Sequence, residues 1–292
     1  MRSPRALIPL LSVCAATAVV AVAAAGAMIE GLPGGGGPAH ADSAAEPPAA
    51  VTVNAVTWNV CGGPGCPSGA DPGRLTKQVV QRMRGTEVGG RKVKTNAVLL
   101  QEVCEGHVRT FKKTMATWAW AFAATPGDAS CAGDQGRAGV AIGTDAPLTK
   151  PRQTRLPAPA GRTRIALCGE VPSWATRVCV AQLSPAEGGE WRTKEARALA
   201  DLAGGGRVLL GGDFADSPDS PALDPLYSGY DECDQTGTSR TGAMTRQDWR
   251  GTAVQKTDYL FITKSAAASC TVPAERTKTS DHRPMSAEVR FP

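Results

Sequence analysis

The chain has 292 residues, 32 Lys and Arg against 27 Asp and Glu, and a formal net charge of +5. So mild a surplus permits a phosphate-bearing substrate but lacks the dense basic stripe of a dedicated duplex-binding protein. Beyond the N-terminal region no segment approaches the roughly 18 apolar residues that a membrane helix requires, which excludes a multi-span membrane protein.

The first residues carry Arg2 and Arg5, followed by an uncharged run rich in Ala, Val and Leu over 6–29 and the small-residue triplet Ala39-His40-Ala41. A basic start, an apolar stretch and a small-x-small triplet form the pattern of a secretory signal peptide over 1–41. The run is also long enough to span a bilayer, so the alternative is an uncleaved anchor on the outer membrane face. Cys14 is no lipidation site, because Leu11-Ser12-Val13 places no small residue before it and most of the apolar run lies beyond it. Residues 42–50, Asp-Ser-Ala-Ala-Glu-Pro-Pro-Ala-Ala, read as a flexible linker. The stretch 51–292 shows no second linker and no repeat, and is long enough for one sizeable core.

Along that domain, short apolar and β-branched runs alternate with helix-like stretches. Strands are predicted at 51–59, 97–101, 139–142, 164–167, 177–183, 208–212, 258–263 and 286–291, and helices at 71–84, 106–117 and 190–202. In the last helix Ala196, Leu199 and Ala203 recur at helical spacing among charged neighbours. Many strands with intervening helices in one chain indicate an α/β fold with mixed sheets.

The domain holds eight cysteines, Cys61, Cys66, Cys104, Cys131, Cys168, Cys179, Cys233 and Cys270. Their number is even and large for a cytosolic domain, and their spacing lacks the paired C-x-x-C of a structural zinc site, so disulfides are expected. Eight cysteines allow roughly a hundred connectivities; sequential pairing is the expectation adopted, with 168–179 joining two strand-like runs across a turn at Pro172 and Ser173.

Acidic and amide side chains fall at the strand ends. Val56-Thr57-Trp58-Asn59 ends in an amide, and Val98-Leu99-Leu100-Gln101-Glu102 ends in a carboxylate. Val208-Leu209-Leu210-Gly211-Gly212-Asp213-Phe214 ends in another, Thr257-Asp258-Tyr259 opens a strand with one, and Ser280-Asp281-His282-Arg283-Pro284 precedes the last strand. Any one such residue is ordinarily a loop residue or a cap. Five in one α/β domain indicate convergence on one sheet edge, where carboxylates offer hard oxygen ligands and the imidazole a proton-transfer group.

Taken in order, Thr57-Trp58-Asn59, Gln101-Glu102, Gly212-Asp213-Phe214, Asp258-Tyr259 and Ser280-Asp281-His282-Arg283-Pro284 resemble the endonuclease/exonuclease/phosphatase superfamily over essentially all of 51–292. Each motif is short; the ordered set is specific. The resemblance implies a four-layer α/β sandwich, two β-sheets flanked by helices, with the site at one end. It implies Glu102 and Asp281 as ligands of Mg²⁺ (or Mn²⁺ or Ca²⁺), assisted by Asn59. Asp213 would act on the attacking water, and His282, paired with Asp258, would contact the scissile phosphate. Gln182 and Arg283 are the substrate-binding candidates.

Two departures from the family pattern bear on activity. The family follows Gly-Asp-Phe with Asn, where this chain has Ala215, and many branches carry Thr-His-Leu where this chain has Ala181-Gln182-Leu183. Gln can donate a hydrogen bond to phosphate but cannot transfer a proton. Losing one oriented donor typically costs about 10²–10³ in rate, against enhancements up to about 10²¹ for phosphate ester hydrolysis. The reading is therefore a secreted, metal-dependent phosphoester hydrolase, monomeric, acting on extracellular DNA or RNA, or else on a phospholipid or sugar phosphate. The alternative is a degenerate member that binds a phosphate-bearing ligand or protein without turnover.

Three further features read as structural. His107 has no second His nearby and is expected on the surface or packed in a helix. Trp118 and Trp120 alternate as in a strand and are expected in the core. Gly62-Gly63-Pro64-Gly65 lacks the Lys-Ser/Thr of a nucleotide loop and reads as a turn between Cys61 and Cys66.

Overall fold

Alternation along the strands builds the molecule. In β1 (Val51–Asn59), Val53 and Ala55 face one side while Val56 and Trp58 face the other, and both sides are buried. The same split recurs in β4 (Ala97–Cys104), with Leu99 on the first side and Val98 and Leu100 on the second. A strand covered on both faces must have a layer above and below it. The computed structural model supplies both layers, and describes residues 48–292 apart from 64, 68–70, 128–129 and 186–188. The signal peptide or anchor expected over 1–41 and the first residues of the expected linker lie outside the described residues. No described helix is long and apolar enough to cross a membrane.

The remaining elements of the first half are α1 (Pro72–Arg84), β2 (Thr86–Val88), β3 (Arg91–Val93), α2 (Glu105–Thr114), β5 (Ala119–Ala124), β6 (Ala138–Thr144) and β7 (Thr149–Leu156). The second half holds β8 (Arg164–Val171), β9 (Thr176–Gln182), α3 (Gly189–Ala203), β10 (Arg207–Asp213), α4 (Asp224–Gly229) and β11 (Tyr230–Glu232). It ends with β12 (Arg246–Gln247), β13 (Ala253–Gln255), β14 (Asp258–Thr263), β15 (Ala267–Thr271) and β16 (Met285–Phe291). One sheet runs β15-β16-β1-β4-β6-β5, the other β11-β14-β10-β9-β8-β7.

The two sheets pack face to face through Val53, Leu99, Ile142, Leu167, Val180, Leu209 and Leu260. Leu75, Val79 and Met83 of α1 and Phe111 of α2 cover the outer face of the first sheet. Ala196, Leu199 and Ala203 of α3, with Tyr227 of α4, cover the second. The result is a four-layer α/β sandwich, as the resemblance implies. Local signals agree with the elements: Asp71 caps α1, accepting from the Arg74 N–H, with Pro72 in the first turn. Helix α2 stops at Thr114, three residues before the expected end, because the chain must turn at Met115 to enter β5. Trp118 is buried and Trp120 stacks on Phe111 at 5.3 Å, so both belong to the core.

Four disulfides join Cys61–Cys66, Cys104–Cys131, Cys168–Cys179 and Cys233–Cys270, the sequential pairing. Cys168 and Cys179 lie directly opposite each other in the β8–β9 pairing.

Candidate active site

The rows of side chains that face the interface between the sheets change chemistry at their last member. Along β1 the row Val53, Ala55, Thr57 ends in Asn59; along β10 the row Leu209, Gly211 ends in Asp213. Along β9, Val178 and Val180 lead to Gln182, and along β14 Leu260 and Ile262 are preceded by Asp258. Pairing brings these ends together. Asp213 lies opposite Gln182 on one side and Asp258 on the other, while β16 runs antiparallel to β1 and delivers residues 280–284 beside Asn59. Period 2 in the strands and the registers of three pairings thus place Asn59, Gln182, Asp213 and Asp258 at one edge of the sandwich.

Glu102 reaches the same place by breaking the alternation. By period 2 it would face the helices. A bulge between Leu100 and Val103 in the β4–β6 pairing, with Glu102 at φ +52°, turns its carboxylate into the cleft. Gln101 instead stays between the sheets, donating to Thr57 Oγ1 and the Leu99 carbonyl.

Two amides then bridge two carboxylates. Asn59 Nδ2 donates to Glu102 Oε1 at 3.0 Å and to Asp213 Oδ2 at 2.9 Å. Gln182 Nε2 donates to Glu102 Oε1 at 2.7 Å and to Asp213 Oδ2 at 3.3 Å. Asn59 Oδ1 is taken by the Cys61 N–H, so this amide presents its nitrogen, and its place is that of a clamp on the acids. Opposite them His282 Nδ1 meets Asp258 Oδ2 at 2.7 Å, and its Nε2 lies 3.9 Å from Asp213 Oδ2. Asp258 is held in turn by Thr257 Oγ1 and by the hydroxyl of Thr245, which accepts its N–H. The His282 backbone is pinned at both ends: its carbonyl accepts from Trp58 Nε1 and its N–H donates to Ser280 Oγ.

Electrostatics follow from burial and neighbours. Burial pushes Asp213 up to about 6, opposed by His282 and assisted by Asp258 and Glu102. Burial works against charge on His282 as well, yet Asp258, Asp213 and Asp281 together raise it to about 10. At neutral pH the pair is therefore an imidazolium beside a carboxylate, fixed by Asp258 at the far ring nitrogen.

A cleft of about 500 Å³ opens over these groups, lined among others by Glu102, Gln182, Asp213, Asp281 and His282. Two carboxylates facing it, Glu102 and Asp281, are the hard-oxygen donors that a divalent ion of the Mg²⁺ type takes. Among the described residues, the groupings of three whose ligand atoms lie close enough together to hold an ion are committed elsewhere. Cys61 and Cys66 near Glu102 are a disulfide, without thiolates, and Asp213, Asp258 and His282 are spent on one another.

One expected contact is not made. Arg283 turns away from the cleft: its Nε donates to Gln247 Oε1 at 3.1 Å and its Nη2 to the Gly251 carbonyl at 2.8 Å. Buried and held at Nε and Nη2, it braces the β12–β13 hairpin rather than gripping substrate. The cleft's arginines are Arg164 and Arg246. Arg246 lies in the basic run 240–250 of the sequence; nothing in the sequence distinguishes Arg164 from other strand arginines. Asp216 cannot stand in for the Asn missing at 215. It accepts from Arg192 at 2.6 and 2.9 Å and from Ser220 Oγ at 2.7 Å.

A sandwich of this architecture, with amide-clamped acids and an Asp-held imidazolium at its edge, defines the class of phosphoester-hydrolase folds. The Endonuclease/Exonuclease/phosphatase family model matches residues 56–282, and the chain belongs to that family. Its members are phosphoesterases, nucleases and phosphatases among them.

Solved structures share the fold at low sequence identity. An endonuclease/exonuclease/phosphatase family protein of Bacteroides thetaiotaomicron is 14% identical, with a TM-score of 0.63 over 84% of this chain and 97% of that one. The human Nocturnin catalytic domain, solved with a bound sulfate anion, is 15% identical, with a TM-score of 0.62 over 85% and 99%. A mannosyl-6-phosphatase of Bacteroides thetaiotaomicron is 15% identical, with a TM-score of 0.59 over 82% and 100%. No curated protein matches the chain in sequence.

Proposed function

We propose that the protein is an exported, divalent-metal-dependent phosphodiesterase whose first substrate class is nucleic acid. The observation that carries the hydrolase reading is the retained centre: ionised Asp213 beside a protonated His282 that is itself held by Asp258. A site that only bound an anion would have no use for a buried carboxylate at its middle.

The chain's own groups divide the work of an in-line attack. Asp213, buried and clamped by two amides, orients the attacking water and accepts its proton as the new P–O bond forms. The imidazolium of His282 donates to a phosphoryl oxygen where negative charge builds as the bond to the leaving oxygen breaks. Glu102 and Asp281 would hold the divalent ion, which when bound would neutralise phosphoryl charge and stabilise the leaving alkoxide. Export is supported by the signal-like 1–41 and by four disulfides, which persist in oxidising compartments.

A second reading, a member that binds phosphate without turnover, is favoured by Gln182 and Ala215, neither of which can transfer a proton at the cleft. The test that separates them exports the full chain, purifies it oxidised, and offers plasmid DNA, RNA, sphingomyelin and bis(p-nitrophenyl) phosphate with Mg²⁺, Mn²⁺ or Ca²⁺. Metal-dependent cleavage lost in both Glu102→Ala and His282→Ala is the expected result. No cleavage of any substrate by folded, metal-loaded protein would leave the binding reading standing.

A further inference from the structure

We infer that Arg164 is a substrate-gripping residue of this cleft, supplying to a phosphoryl group the charge that Gln182 and Ala215 do not. The inference rests on the phosphoesterase reading for its catalytic consequence, although the anion site it describes stands without turnover.

The placement comes from the sheet. In the β8–β9 pairing Ala166 lies opposite Ala181, so Arg164 stands opposite the position just past Gln182, on the face that carries Ala166 and Leu183. From there its side chain lines the cleft together with Leu183, Pro185, Ala215 and Asp216. The same cleft is lined by Gln182 and by Ala215, where the family pattern's Asn is missing, and by Arg246, Asp281 and His282.

The three cationic groups of the lining differ in what they already hold. His282 is bound to Asp258 at 2.7 Å, and Arg246 stands 4.0 Å from Asp281. Arg164 has no carboxylate within salt-bridge distance among the described residues, and its Nε is buried with no hydrogen-bond partner. A guanidinium nitrogen withdrawn from water and left unpaired is costly unless something arrives to accept from it. Its planar fork suits two oxygens of one phosphoryl group. The neighbouring acids do not quench it: Asp216 is occupied by Arg192, and Glu195 by Ser184. The competing role is long-range neutralisation of buried Glu195, whose charged form Arg164 favours. That role would show in stability and not in anion binding.

The test titrates inorganic phosphate into the oxidised full chain by calorimetry and measures bis(p-nitrophenyl) phosphate kinetics in parallel. Arg164→Gln is expected to weaken phosphate at least tenfold and to raise KM with an unchanged unfolding midpoint, and Arg164→Lys to fall between. Wild-type protein labelled with phenylglyoxal should lose modification at Arg164 when phosphate is present, a readout independent of any variant's folding. Unchanged phosphate affinity and KM in Arg164→Gln, or labelling indifferent to phosphate, or no phosphate binding by folded wild type, would each overturn the inference. If diester hydrolysis proceeds normally in Arg164→Gln, the inference fails and the proposed function stands. If nothing is hydrolysed but phosphate binding depends on Arg164, the inference stands and the proposed function fails.

Discussion

Three residues lining the cleft, Cys61, Glu102 and Ala215, hold left-handed backbone without being glycine, and the last two bear on the chemistry. Glu102 has φ +52° and Ala215 φ +55°, a region that costs most side chains of the order of 1–3 kcal/mol. For Glu102 the strain aims a carboxylate at the cleft, a return that is visible. For Ala215 the backbone N–H donates to Asp213 Oδ1 at 3.1 Å, but the methyl group adds nothing. Asn tolerates this conformation best after Gly and would restore an amide at the cleft wall. Ala215→Asn is therefore expected to raise kcat/KM by on the order of 10²-fold with no loss of stability, checked by steady-state kinetics and thermal unfolding. An unchanged rate would mean that the donor is not needed at this site.

His107 is not a surface residue; it is buried on α2, its Nδ1 accepting weakly from the Cys104 N–H at 3.4 Å. Burial lowers its pKa from 6.5 to about 4. The folded state keeps it neutral while the unfolded chain takes up a proton below pH 6.5. Its contribution is thus complete above that pH and is lost as pH falls through about 4, a penalty on the order of 3 kcal/mol. Urea unfolding between pH 7 and 4 should show a shallower acid decline in His107→Gln than in wild type.

At the scale of elements, the close pairing of β9 with β10 sets the distance between Gln182 and Asp213. A Cβ on Gly212 would stand 2.1 Å from the Ala181 carbonyl oxygen and 2.5 Å from Phe214 Cε1. Backbone cannot yield there as a flexible side chain could, so Gly212→Ala must separate the strands. We expect a loss of about 1–3 kcal/mol in stability and a fall in kcat, since Asp213 and the Gln182 amide that clamps it ride on these strands. The hairpin β12–β13 is a second such element. It is joined to the catalytic loop by Gln247 N–H to the Asp281 carbonyl and Arg283 N–H to the Thr245 carbonyl, each 2.7 Å. The Arg283 side chain braces its turn. Arg283→Ala should release the hairpin and Arg246 with it, raising KM more than it lowers kcat; equal changes in both would argue against this division.

For the molecule as a whole, the disulfides are distributed so that each sheet is tied. Cys104–Cys131 secures the strand that carries Glu102, Cys168–Cys179 the β8–β9 pair, and Cys233–Cys270 links the second sheet's edge region to β15 of the first. Removing a native disulfide typically costs about 2–5 kcal/mol. Full reduction should lower the unfolding midpoint and the activity together, measured by thermal scans and diester hydrolysis with and without reductant. Retention of both after complete reduction would make the cysteines incidental to stability.

Much of this was legible in the sequence because it is written in local chemistry. Strand runs ending in Asn59, Glu102 and Asp213, and the ordered motifs around them, disclose the layer architecture and most of the polar edge, since period 2 and strand-end position survive without tertiary information. What the linear pattern could not carry is direction. Nothing in Ser280-Asp281-His282-Arg283-Pro284 says that His282 faces the cleft and Arg283 the hairpin, and alternation alone sends Glu102 to the wrong face. Arg164 is one strand arginine among many until the β8–β9 register sets it opposite Leu183 at the cleft, and His107 cannot be known as buried until α2 packs. The sequence by itself determined the elements, the family and the supply of acids, amides and imidazole. Only the tertiary structure decided which of them meet, because bulges, registers and close glycine contacts are properties of paired strands and not of any one of them.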